Sequence, residues 1–324
     1  MIPGLIVLLL LLTLLLIKAA DQLVIALRHL SRSTHIAAFV LSAFLLALAT
    51  SFPELFVSVT SALEGTPNLS LGVVMGSNIA NISLITGLAA LLTGGVTVHG
   101  EFMRRDVGIA LLAGVLPIIL ALDGSLSRVD GLILLASYGV YASSLFKVRF
   151  LEIAERHKRE SFFHRLFRKF NYYININMGK EFGRLFVGLA FVFFSADLIV
   201  KISKELAVAA NIPVFIIGLI LLAIGTSLPE LAFSLRSLED KEPKMFFGNL
   251  LGSTIANSTL IVGISSLITP IARLAVGDYI VAAVFFAIIY LTFWFFIKSK
   301  FRLDRWEAVI LILLYLAFVV VEIT

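Results

Sequence analysis

The chain has 324 residues, 60% of them hydrophobic, and a mean hydropathy of +1.03. Apolarity on that scale excludes an ordinary soluble core and identifies an integral membrane protein. The formal net charge of +5 then reports topology, not affinity for nucleic acid, and the lack of cysteine excludes disulfides, thiolate metal sites and thiol nucleophiles.

In chain order, apolar stretches predict ten spans, at about 3–29, 35–63, 70–94, 106–122, 127–148, 182–207, 213–238, 245–269, 277–297 and 304–323. The first could pass for a signal peptide ending on Lys18-Ala19-Ala20, but it has no basic leader. It is read as a retained helix, because Asp21 and Val24 recur as Asp197 and Val200 inside a later span. The second span holds Ala49-Thr50-Ser51-Phe52-Pro53-Glu54-Leu55, which recurs in the seventh as Gly225-Thr226-Ser227-Leu228-Pro229-Glu230-Leu231. The third holds Gly76-Ser77-Asn78-Ile79-Ala80-Asn81, which recurs in the eighth as Gly252-Ser253-Thr254-Ile255-Ala256-Asn257. All three recurrences share one offset of 176 residues (21 to 197, 54 to 230, 77 to 253). One unit has been duplicated, as residues 1–148 and 182–324 joined by a linker at 149–181. Five spans per unit is an odd number, so the second unit enters the membrane from the opposite side. The predicted fold is an all-α membrane protein of ten transmembrane helices arranged as two inverted five-helix repeats.

Orientation follows from Lys and Arg. Of 26 such residues, 21 fall at the connections after spans 1, 3, 5, 7 and 9, including ten between Lys147 and Arg184. That side is read as cytoplasmic, which puts both termini outside, in the cell membrane. The linker carries Phe163, Leu166, Phe167 and Phe170 at helical spacing among Arg165, Arg168 and Lys169. An interfacial amphipathic helix on anionic lipid is the simplest reading. A solvated positive-inside linker or a regulatory segment are the others.

A carboxylate within a span is costly and marks a functional site by default. Thr50 and Glu54 are four apart, as are Thr226 and Glu230, Ser77 and Asn81, and Ser253 and Asn257, so each pair shares a helix face. The five histidines lie in loops or near span ends. Oxygen-only donors suit hard cations such as Na⁺ and Ca²⁺, and Mg²⁺ less well because it keeps its waters. Pro53 and Pro229 have no N–H, so the carbonyls of Ala49 and Gly225 lose their helical donors. A cation between the repeats is one replacement partner; a simple kink is the alternative. Packing by hydrogen bonds is the alternative for the serines and asparagines, and Gly72, Gly76, Gly87, Gly248, Gly252 and Gly263 are read as points of close helix approach. Asp21 and Asp197 are left outside the site.

These motifs resemble the cation/calcium antiporter superfamily, and most closely its prokaryotic sodium/calcium exchangers. The family's two alpha-repeats are similar to residues 35–94 and 213–269. The resemblance implies a diamond of four cation positions between the repeats. Glu54 and Glu230 would ligate both Ca²⁺ and Na⁺, and the carbonyls of Thr50 and Thr226 would join at Ca²⁺. Ser51, Ser77, Ser227 and Ser253, with the carbonyls of Ala47 and Ala223, would serve flanking Na⁺ positions, and Asn81 and Asn257 would line the central one. Alternating access would come from the first helix of each half, at about 3–29 and 182–207, sliding past a fixed core. One departure stands out: many relatives have Asp where this chain has Asn257. Two glutamates then supply at most two negative charges, which balance one Ca²⁺, and potassium coupling is disfavoured.

The reading is a secondary transporter, not an enzyme, that exchanges Na⁺ for Ca²⁺ with both ions competing for Glu54 and Glu230. Its partners are those ions and the bilayer; no cofactor, nucleic acid or obligate protein partner is expected. The alternative is an H⁺/Ca²⁺ antiporter with the same two glutamates as proton carriers. Proton-coupled relatives usually have Gly-Asn-x-x-Glu where this chain has Thr-Ser-x-Pro-Glu, which favours Na⁺.

Overall fold

The computed structural model describes residues 2–33, 50–97, 101–157, 178–272, 276–300 and 302–323. In the first half the helices are α1 (Ile2–Ser33), α2 (Phe52–Leu63), α3 (Pro67–Ala80), α4 (Thr86–Thr93), α5 (Glu101–Leu120) and α6 (Arg128–His157). In the second they are α7 (Met178–Ala210), α8 (Val214–Ile216), α9 (Ala223–Thr226), α10 (Leu228–Glu239), α11 (Pro243–Ile255), α12 (Val262–Ile268), α13 (Val276–Lys300) and α14 (Arg305–Ile323). Seven helical stretches among the described residues are long and apolar enough to cross a bilayer, and Phe52–Leu63 and Val107–Asp123 are shorter apolar helices. The chain is thus a mostly helical membrane protein.

Several expected spans are not single α-helices. A π-turn at Asn81–Ile85 joins α3 to α4, and another at Ala256–Ile261 joins α11 to α12. A third, at Ile217–Leu222, links α8 to α9. A π-turn leaves a carbonyl one residue out of step with its donor. Thr86 closes the first of these turns on one carbonyl: its N–H and its Oγ1, the latter at 2.7 Å, both donate to Asn81 O, five residues back. The expected linker is also shorter at both ends, since α6 runs on to His157 and α7 begins at Met178. The basic amphipathic segment with Phe163 and Phe170 lies at 158–177, outside the described residues.

Two short antiparallel pairs tie the halves together. β1 (Val96–Thr97) pairs with β4 (Arg302–Leu303), and β2 (Ser125–Leu126) with β3 (Ile271–Ala272). Each pair takes one strand from each half, and Val96, Leu126, Ile271 and Leu303 are all buried beneath them. Helix starts beside these pairs are capped alike. Ser127 N donates to Asp130 Oδ2 at 2.8 Å, and Asp304 N to Glu307 Oε2 at 2.9 Å. Both join an N-cap residue to an acid three residues on, and at Ser127 the cap is reciprocal, since Asp130 N donates back to Ser127 Oγ at 3.2 Å.

Two apolar clusters build the interior. The larger unites α3 and α4 with α5, α11, α13 and α14. The smaller joins α1 to α7 through Leu5, Leu9, Leu12 and Leu16 against Val192, Ala196, Ile199 and Val200, and reaches Val57, Val73 and Leu222. The outer faces of α1 and α7 expose Leu8, Leu11, Leu14, Phe186, Phe191 and Phe194, as lipid-facing surfaces do. Asp197 lies at the surface paired with Lys201 at 2.8 Å, and Asp21 is exposed, so both sit away from the interior.

Candidate cation site

The repeated motifs form two matching breaks. α9 stops at Thr226 and α10 starts at Leu228; the residue between them, Ser227, has φ −84° and ψ 3°. Ser51, ahead of α2, has φ −87° and ψ 8°. Pro53 and Pro229 lie in the first turn of the new helix, where a missing N–H costs little. In the second repeat the chain therefore stops and restarts, as a broken helix and not as the alternative simple kink, whereas in the first the residues ahead of Thr50 lie outside the described ones.

Ser51-x-x-Glu54 and Ser227-x-x-Glu230 have the spacing of capping boxes. Neither serine caps its helix. Among the described residues, Ser51 Oγ, Glu54 Oε2, Ser227 Oγ, and both Glu230 carboxylate oxygens are buried without a hydrogen-bond partner. This contrasts with Ser127 and Asp130, which do close on one another. Buried polar atoms are nearly always satisfied, so five orphans at two related breaks need a physical explanation.

The breaks meet across the repeats. Ser77 Oγ donates to Glu54 Oε1 at 3.3 Å and lies 3.4 Å from Thr226 Oγ1 of the other half. Thr226 lies beside Glu54, and Thr50 beside Glu230, so each carboxylate adjoins the other repeat's threonine. Thr226 Oγ1 donates to Leu222 O at 3.0 Å, and Ser253 Oγ to Leu250 O at 3.1 Å, which leaves their lone pairs free to accept a cation. Asn81 sits in one π-turn with both amide atoms unpartnered, and Asn257 in the other with Oδ1 unpartnered. Of the expected set, Thr50, Ser51, Glu54, Ser77, Asn81, Ala223, Thr226, Ser227, Glu230, Ser253 and Asn257 are all buried; Ala47 lies outside the described residues.

Three polar residues that were not among the expected ligands join the same network. Asn249 Oδ1 accepts from Thr50 Oγ1 at 2.9 Å. Asn78 Nδ2 donates to Ser258 Oγ at 2.7 Å, and Asn257 Nδ2 to Asn78 Oδ1 at 3.2 Å. Each departs from the repeat, whose other copy has Val73, Thr254 and Ile82. A buried polar residue where its repeat mate differs is the signal that finds them. Asn249→Val, which installs the first repeat's residue, frees the Thr50 hydroxyl. It should raise the half-saturating Ca²⁺ concentration about fivefold, by the worth of one buried hydrogen bond. Unchanged Ca²⁺ saturation in that variant would show that Thr50 needs no such restraint.

The profile of the family described as "Sodium/calcium exchanger protein" matches residues 4–147 and 180–324. Inner membrane protein YrbG of Escherichia coli is 34% identical over 259 residues, covering 79% of this chain and 78% of that protein. Sodium/calcium exchanger MaX1 of Methanosarcina acetivorans is 30% identical over 339 residues, covering 94% and 95%. The solved structure of the sodium-calcium exchanger NCX_Mj soaked with 10 mM Na⁺ and zero Ca²⁺ superposes with a TM-score of 0.61 at 27% identity, covering 99% of each chain. Its form soaked with 100 mM Na⁺ and 10 mM Sr²⁺ gives 0.62 at 26% identity, again over 99% of each. On these matches, spanning both duplicated halves, the chain belongs to the sodium/calcium exchanger protein family.

Proposed function

We propose that this membrane transporter exchanges Na⁺ for Ca²⁺ across the cell membrane by alternating access. The observation that carries the reading is the set of unspent oxygens at the two breaks, on Ser51, Glu54, Ser227 and Glu230. Two buried carboxylates with three of their four oxygens lacking a donor are costly in hydrocarbon, and a hard cation relieves that cost for both at once. Their two charges balance one Ca²⁺. Na⁺ arriving at the same oxygens displaces it, so competition alone couples the two fluxes. The carbonyls of Thr50 and Thr226 complete the Ca²⁺ position. Ser51, Ser77, Ser227 and Ser253, with the Ala47 and Ala223 carbonyls, serve Na⁺, and Asn81 and Asn257 line the centre. Family membership supports cation/Ca²⁺ antiport, and NCX_Mj is a protein studied with Na⁺, Ca²⁺ and Sr²⁺.

In this reading ten helices form two inverted five-helix repeats with both termini outside. The reciprocal strand pairs and the matching breaks support that arrangement. α1 and α7 pack along one another with lipid-facing outer surfaces, as a pair that slides against the rest would. Lys204 of α7 reaches Glu64 O at 3.0 Å at the end of α2, one contact such a movement would remake.

Reconstitution tests the coupling. Proteoliposomes loaded with Na⁺ should take up ⁴⁵Ca²⁺ under clamped voltage, and an imposed pH gradient should leave the rate within about twofold. Uptake driven by a proton gradient alone would overturn Na⁺ coupling and make Glu54 and Glu230 proton carriers.

A further inference from the structure

The turns that follow α2 and α10 are the same structure, and each opens on an acid. Glu64 and Asp240 stand 176 residues apart, the offset of the repeat. Each caps its helix, at φ −80°, ψ 5° and φ −74°, ψ 3°. The next residue has a positive φ in both, 69° at Gly65 and 58° at Lys241. Both turns close on the same bond: Thr66 N donates to Ser61 O and Glu242 N to Ser237 O, each at 2.8 Å. The cations on α1 and α7 correspond too, since Lys204 of α7 lies 176 residues after Arg28 of α1. Lys204 Nζ holds the first turn at two points, donating to Glu64 O at 3.0 Å and to Glu64 Oε2 at 3.4 Å. A cation there meets the carbonyls that the end of α2 leaves free. In the second turn, Asp240 Oδ2 accepts from Arg236 Nε at 3.1 Å, four residues back on its own helix. The first repeat has Thr60 at that place, which offers Glu64 no rival charge.

We propose that Lys204–Glu64 and Arg28–Asp240 are alternating latches, one at each face of the membrane, made in opposite states of the transport cycle. The inference rests on the proposed function, in which α1 and α7 slide against two inverted repeats. In such a protein the halves exchange roles between the two states. A contact made by the second half's helix in one state is then made by the first half's helix in the other. Lys204 holds Glu64 in this structure. When the helix pair slides the other way, Lys204 lets go and Arg28 takes Asp240 from Arg236. The strength of the latch suits that task. The Lys204 and Glu64 side chains are 33% and 37% exposed, and exposed pairs shift a population by no more than about fivefold. That biases a cycle without arresting it. Because Asp240 has a rival on its own helix and Glu64 has none, the state with Lys204 engaged is the favoured one.

The chain has no cysteine, so introduced thiols report alone. One variant carries Glu64→Cys with Lys204→Cys, another Arg28→Cys with Asp240→Cys. A short bis-methanethiosulfonate spans an ion pair's width, where a direct disulfide needs Cα atoms within about 7 Å. In proteoliposomes either bridge should slow ⁴⁵Ca²⁺ uptake by about tenfold or more, and dithiothreitol should restore it. With all four substitutions present, intact mass should show one bridge per molecule. Two bridges in most molecules, full uptake with either bridge in place, or no bridge between Arg28→Cys and Asp240→Cys under any ion condition would overturn the proposal. If the fourfold variant does not accumulate, Lys204→Met gives the same answer. It should raise the yield of the Arg28→Cys, Asp240→Cys bridge about threefold. Lys201→Met should leave that yield unchanged, because Lys201 pairs with Asp197 within α7. Equal yields with and without Lys204→Met would overturn the coupling of the two latches. Bridging is read on the protein without transport. Lack of any Ca²⁺ uptake by the cysteine-free parent would thus overturn the proposed function, whereas two bridges in a protein that still exchanges Ca²⁺ would overturn the latches alone.

Discussion

Glu54→Gln and Glu230→Gln should each reduce Na⁺-driven ⁴⁵Ca²⁺ uptake in proteoliposomes by more than a hundredfold. In the proposed function, either change removes one of two charges that would face a divalent ion in a buried setting. Removing one partner of a buried charge pair costs about 3–5 kcal/mol, or roughly two to four powers of ten. The neutral amide also brings an N–H donor to a place that needs an acceptor. The two variants should differ in one respect. Glu54 Oε1 receives the Ser77 hydroxyl, while neither oxygen of Glu230 has a partner. Ser77→Ala should therefore weaken Ca²⁺ saturation in the Glu230→Gln background and add little in the Glu54→Gln background, measured by binding. Wild-type uptake in both glutamine variants would remove the site.

Gly76→Ala should destabilise the protein by about 3 kcal/mol or more. A Cβ on Gly76 would sit 1.9 Å from Leu219 O and 2.6 Å from Ala223 Cβ. Backbone cannot swing aside as a side chain does, so α3 and the π-turn at Ile217–Leu222 would have to separate. Gly72 and Gly218 repeat the constraint along the same contact, at 2.2 Å from Phe215 O and 2.7 Å from Leu69 O. Small residues that let two backbones touch are how helices associate where lipid supplies no hydrophobic drive. Thermal unfolding in detergent reads the loss. Transport should fall with stability at Gly76, because Ala223 and Thr226 lie just beyond the displaced turn. Equal melting temperatures for Gly76→Ala and the parent would show that the contact yields.

The capping-box spacing of Ser51 with Glu54 is plain in the chain, as is that of Ser127 with Asp130. Whether the box closes is not, because the same residues can cap a helix or leave their oxygens exposed to the interior. The π-turns were equally hidden, since an inserted helical residue changes the direction of side chains without altering composition. Asn249 stayed out of sight because the recurring motif of its span begins only at Gly252 and its repeat mate is Val73.

From the sequence alone follow the membrane class, the duplication, and the set of oxygen-bearing residues, because hydropathy, spacing and side-chain chemistry belong to the chain itself. The tertiary structure decided which of those oxygens are spent. Ser253 gives its proton to its own helix, Ser77 to Glu54, and Asn257 to Asn78, while both oxygens of Glu230 stay unpartnered. Duplication makes the two halves alike in sequence, but each packs against the other, so equivalent positions meet different neighbours and the symmetry stops at the contacts.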